Sequence, residues 1–73
     1  MNYRYFKFIG GKYFRTKDEE SFQVINQNNC WENDDMIYFL YNDVGVQYEE
    51  ITDAETLHQL MNIPEIEAGE IKK

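Results

Sequence analysis

Residues 3–16, YRYFKFIGGKYFRT, set aromatic and apolar side chains almost without a break among interspersed bases, and the run is interrupted only at Gly10-Gly11. Aromatic and β-branched residues favour the pleated backbone, and a glycine pair supplies the positive φ angles of a two-residue turn, so the segment predicts a β-hairpin. With Gly10 and Gly11 as the loop, Ile9 faces Lys12, Phe8 faces Tyr13 and Phe6 faces Arg15. One face then shows Arg4, Phe6, Phe8, Tyr13 and Arg15; the other shows Tyr3, Tyr5, Lys7, Ile9, Lys12, Phe14 and Thr16. Both faces are aromatic and both carry bases, so this hairpin has no clean wet side.

Downstream of a charged turn at Lys17–Glu20, Ser21–Asn26 alternates Phe22 and Val24 against Gln23 and Ile25 and predicts a third strand. Gln27–Asp35 is rich in turn formers and reads as a polar loop with Cys30 and Trp31 embedded in it. Met36–Tyr41, MIYFLY, is apolar on both faces and fits a central strand, with a buried helical turn as the alternative. Asn42–Gly45 reads as a turn and Val46–Ile51 as a weaker strand. Thr52-Asp53-Ala54-Glu55 has the spacing of a capping box, with Thr52 as N-cap and Glu55 reaching back to it. Ala54, Leu57, Leu60 and Met61 then share one helical stripe, and Pro64 ends the helix. The fold class expected is α+β: an antiparallel sheet of about four or five strands, opened by a hairpin, with one C-terminal helix packed on it. Residues 1–64 form the domain, and 65–73 are expected to be a flexible acidic tail ending in lysines.

Charge alters this picture. Residues 1–17 hold Arg4, Lys7, Lys12, Arg15 and Lys17 and no acid, whereas all fourteen carboxylates lie between residues 18 and 71, where there is no Lys or Arg. Like charges on one segment repel and are normally interspersed with partners. Either the basic segment folds against the acidic one, or each presents a single-sign surface. The net charge of −7 disfavours general binding to polyanions. A single cysteine, Cys30, permits no internal disulfide, and no apolar run is long enough to span a bilayer. A cytoplasmic location without membrane contact is the expectation.

Catalytic chemistry has little to stand on. His58 is the only histidine, and neither Ser21 nor Cys30 has a base apparent from the sequence to activate it. Gly10-Gly11 leads into a strand and not a helix, which removes a phosphate cradle. Asn33, Asp34 and Asp35 lack the frame of a calcium loop, and one Cys with one His makes no zinc site. The expectation is a protein that is no enzyme and takes no cofactor or metal.

In its shortness, its abundance of Asn, Ile, Lys and Tyr, and its hairpin–sheet–helix plan, the chain resembles the small proteins carried by phages and prophages of AT-rich bacteria. That resemblance implies an inhibitor or modulator of another intracellular protein. The partner expected is a protein with a basic surface, met by an acidic face at Asp34, Asp35, Glu49 and Glu50 and by aromatic anchors at Trp31 and Tyr48, with imitation of nucleic acid as one mode of binding. Trp31 has a second reading, as a cap folded over the small core. Single-stranded nucleic acid is the alternative ligand, held by Tyr3, Arg4, Tyr5, Lys7, Lys12 and Arg15, since rings stack bases while Arg and Lys track phosphates. A homodimer through the Leu57–Leu60–Met61 stripe or a bare sheet edge is the third.

Overall fold

Turns at Gly10-Gly11, Asp18–Ser21, Asn26–Cys30 and Asn42–Gly45 help divide the described residues into five strands and two helices. A computed structural model describes residues 2–66, so most of the expected tail lies outside the described residues. The elements are β1 (Arg4–Phe8), β2 (Tyr13–Thr16), β3 (Phe22–Ile25), β4 (Trp31–Asn33), α1 (Met36–Tyr41), β5 (Tyr48–Glu50) and α2 (Ala54–Met61). The strands form one sheet in the order β4-β3-β2-β1-β5, every neighbouring pair antiparallel. The α+β class, the N-terminal hairpin and the C-terminal helix are as the residue pattern predicts.

The hairpin register differs from the two-residue reading. Lys7 pairs with Tyr13 and Phe6 with Phe14, and the Phe8 amide donates to the Lys12 carbonyl at 2.8 Å. Ile9, Gly10 and Gly11 therefore form a three-residue loop, closed by the Gly11 amide on the Phe8 carbonyl at 2.8 Å. Gly11 supplies the single positive φ, +107°, that such a loop needs. A slip of one residue sends every side chain of β2 to the opposite face. Phe14 thus joins Phe6 and Phe8, and Arg15 joins Tyr3 and Tyr5.

Both faces of the sheet are covered. On one, Phe6, Phe14, Phe22 and Val24 pack with Ile37 of α1, and Phe8, Tyr41 and Tyr48 close the margin. Phe6 and Phe14 stack with centroids 5.0 Å apart, a geometry that contributes about 0.5–1.5 kcal/mol beyond burial. On the other face, Tyr5, Trp31 and Leu60 of α2 are buried together, flanked by Tyr3, Tyr13, Ile25 and Leu57.

Two assignments shift. Met36–Tyr41 is a helix and not a central strand. The Asp34 carboxylate accepts from the Met36 amide at 3.0 Å and so opens the first turn. The fifth strand comes instead from Trp31–Asn33, within the segment expected to be loop. The loop itself contracts to a turn, in which the Asn26 side chain accepts from the Asn28 and Cys30 amides. In α2 the N-cap is Asp53 and not Thr52; its carboxylate accepts from the Thr56 amide at 2.8 Å. Bonding to the hydroxyl and amide of Thr56 holds the Asp53 carboxyl below its usual range. Ala54 and Met61 of the expected stripe are exposed, Leu57 is half-buried and Leu60 is buried.

The chain beyond α2 returns to the sheet. The Trp31 amide donates to the Pro64 carbonyl at 2.8 Å, and the Ile66 amide to the Trp31 carbonyl at 2.9 Å. Glu65 and Ile66, the described part of the expected tail, therefore lie alongside β4.

Candidate protein-interaction surface

Most of the N-terminal bases already have partners within the fold. Arg4 Nη1 lies 2.9 Å from Glu19 and Nη2 lies 2.9 Å from Glu50, with Nε also on Glu50 at 3.1 Å. That fork holds the Glu50 carboxyl below its usual range and raises the guanidinium of Arg4 further above its own. Lys17 Nζ lies 4.9 Å from the centroid of the Tyr3 ring, and Lys7 Nζ lies 5.9 Å from that of Tyr13.

Arg15 is deeper, only 5 % exposed. Its guanidinium carbon lies 3.9 Å from the Tyr3 ring centroid and 4.4 Å from that of Trp31. Arg15 Nε donates to Gln23 Oε1 at 2.8 Å, Nη1 donates to the Tyr5 hydroxyl at 3.3 Å, and Nη2 lies 3.6 Å from Glu65. Gln23 Nε2 in turn donates to Asn33 and Glu65. A buried guanidinium between two rings, with its donors placed, rigidifies the α2 side of the sheet.

The residues of the alternative nucleic-acid face are consequently dispersed. Tyr5 and Arg15 are buried, Tyr3 is half-buried against Arg15, and Arg4 is tied to two carboxylates. Lys7 is half-buried, and Lys12 stands exposed at the hairpin end. No bare stacking platform flanked by free bases exists among the described residues.

The acidic positions are also separated. Asp34 and Asp35 lie between β4 and α1 at one edge of the sheet, and Glu49 and Glu50 form part of β5 at the other. Glu49 shares the α2 face with Lys7, while Glu50 points to the α1 face and is engaged by Arg4. Of the aromatic anchors, Tyr48 is half-buried, its hydroxyl donating to the Tyr41 carbonyl at 3.1 Å. Trp31 is 0 % exposed, and its Nε1 donates to the Leu60 carbonyl at 3.1 Å. Its indole is therefore core and offers no surface.

The exposed apolar surface lies elsewhere, on α1. All six residues of this helix are apolar or aromatic, yet Ile37 alone is fully buried. Met36 is 63 % exposed and Phe39 64 %, with Tyr38 and Leu40 also open to solvent. Glu20, Asp35, Tyr38 and Phe39 line a shallow hollow beside the helix. Asp43 follows the helix, and its carboxylate accepts from the Gly45 amide at 2.8 Å. The patch is thus apolar at its centre and anionic at its margin. The residue pattern of Met36–Tyr41 suits a central strand or a buried helical turn, and either would cover Met36, Phe39 and Leu40. Asn33-Asp34-Asp35, residue types favoured at helix starts, was the signal that could have placed them on a helix.

Among the described residues no cluster of three or more His, Cys, Asp or Glu could hold a metal ion, and no helix is long and apolar enough to cross a membrane. Comparison of the chain with protein-family models, curated proteins and solved structures finds no match to any of them.

Proposed function

We propose that this protein is a non-catalytic interaction module, a small acidic modulator or inhibitor of another protein, and that it docks through the outer face of α1. One observation carries the reading: a helix apolar at every position leaves Met36, Tyr38, Phe39 and Leu40 in water. A helix apolar all round is ordinarily buried, and a contiguous exposed apolar patch rimmed by polar groups marks an interaction site. Glu20 and Asp35 at the rim point to a partner pocket edged with Lys or Arg. A second copy of this chain is a poor occupant, because two bodies of net charge −7 would bring like-charged rims together.

Phe39→Asp tests this. The side chain is exposed, so folding stability is expected to change by only about 0.5 kcal/mol. Binding is expected to weaken about thirtyfold, the consequence of losing an interface anchor worth ~2 kcal/mol. Immobilised wild-type and variant protein are exposed to a cell extract and washed at low and high salt. A species retained by the wild type, released by salt and absent from the variant is the expected result. Identical retention on both columns would contradict docking through α1.

A further inference from the structure

We infer that the open outer edge of β5 accepts an extended, lysine- or arginine-rich segment of a partner protein as an additional strand. The site is distinct from the α1 patch and stands or falls independently of it. In an antiparallel pair, alternate residues turn their N–H and C=O groups toward the neighbour. The Ile9 amide donates to the Gln47 carbonyl at 3.1 Å, and the Ile51 amide to the Tyr5 carbonyl at 2.8 Å. Residues 47, 49 and 51 therefore face β1, and the backbone groups of Tyr48 and Glu50 face outward. β5 is terminal in the sheet order, and no described strand lies beyond it.

The opposite edge shows how this sheet closes an edge. There Pro64 and Ile66 bond to the outward backbone of Trp31, so the chain itself adds a short parallel segment to β4. At β5 a hollow lined by Ile9, Tyr41, Val44, Val46 and Tyr48 adjoins the free backbone and offers space for apolar side chains of an incoming strand. Val44 is fully exposed there.

Charge selects the occupant. Asp43 and Glu49 border the hollow and form no ion pair among the described residues. Lys or Arg on the incoming segment would meet them. A second copy of β5 in antiparallel register about Glu49 would set that carboxylate against its twin, and like charges directly opposite destabilise a ladder. A cationic segment of another protein satisfies the backbone and the carboxylates together, which is strand addition with electrostatic selection.

The test follows backbone amide resonances of the full chain by NMR during titration with three synthetic hexapeptides. The first alternates lysine and valine, the second is the same peptide N-methylated at alternate residues, and the third replaces lysine with glutamate. The first is expected to give saturable shifts and slowed exchange at the Tyr48 and Glu50 amides. Glu49→Gln is expected to weaken this binding about threefold to fivefold, the loss of one exposed ion pair. The N-methylated and acidic peptides are expected to leave those amides unmoved. Silence at Tyr48 and Glu50, equal binding of the N-methylated peptide, or concentration-dependent shifts there without any peptide would each overturn the proposal. None of these outcomes bears on Phe39.

Discussion

Trp31→Ala is expected to destabilise the fold by about 3–5 kcal/mol, the range for emptying an aromatic site in a packed core. The indole is completely buried, meets Tyr5 edge-on with centroids 5.8 Å apart and lies against the Arg15 guanidinium. Its Nε1 ties α2 to the sheet through the Leu60 carbonyl, and its backbone holds Pro64 and Ile66. A domain of this size has a total stability on the order of 5 kcal/mol, so the variant is expected to be partly unfolded at room temperature. Thermal melting followed by circular dichroism should show the midpoint falling by roughly 15–30 °C. Trp31→Phe keeps a ring in the site and loses the indole donor, a smaller penalty of about 1 kcal/mol for the bond itself. A drop of only a few degrees for the alanine variant would mean that Trp31 is not the junction between sheet and α2.

Substitution of Arg15 is expected to have the next largest effect. Arg15→Met keeps much of the side-chain volume and removes the charge from between Tyr3 and Trp31. It leaves the buried Gln23 Oε1 without its donor. Losing a charge-assisted hydrogen bond and a desolvated cation–π contact is expected to cost about 2–4 kcal/mol. The cost stays below that of a broken buried ion pair because Glu65, half exposed, regains water. Arg15→Lys preserves the charge and still loses the planar fork that spans Gln23 and Tyr5, so it is expected to rescue only part of the loss. The informative comparison is Arg15→Met with Gln23→Leu. Replacing both partners by apolar groups removes the unsatisfied acceptor, and the double variant is expected to recover much of the single variant's deficit. Urea midpoints measured for the four proteins decide it; Arg15→Met as stable as the wild type would show that the network contributes nothing.

The strands flanking the glycine pair, the Phe22–Ile25 strand and the C-terminal helix were legible because each rests on local chemistry. Aromatic runs, the helix-start residues of Thr52–Glu55 and Pro64 act within a few residues of themselves. The hairpin register was not, since two- and three-residue loops both suit Gly10-Gly11. Only packing selects the register that puts Phe14 beside Phe6. MIYFLY carries no periodicity with which to choose strand or helix, and as α1 it lies outside a sheet centred on β2. The fate of Arg15 was equally hidden, for its partners Gln23, Trp31 and Glu65 arrive from later elements. The same holds for the candidate surface. Asp34 and Asp35 are visible as an acidic pair, but the exposure of Phe39 beside them depends on which face α1 presents to the sheet. Trp31 could be assigned to core or to surface only once α2 was in place.

Pairing of Arg4 and Arg15 with carboxylates and rings of the fold withdraws both from an exterior that is otherwise mostly anionic. Its most direct test is fluorescence anisotropy of a labelled single-stranded oligothymidylate titrated with the full chain at low salt, where phosphate contacts are strongest. The expected result is no saturable binding, because Arg4 and Arg15 already hold carboxylate and ring partners and Tyr5 is buried. Saturable binding that weakens with added salt and is lost in Lys12→Ala would contradict it.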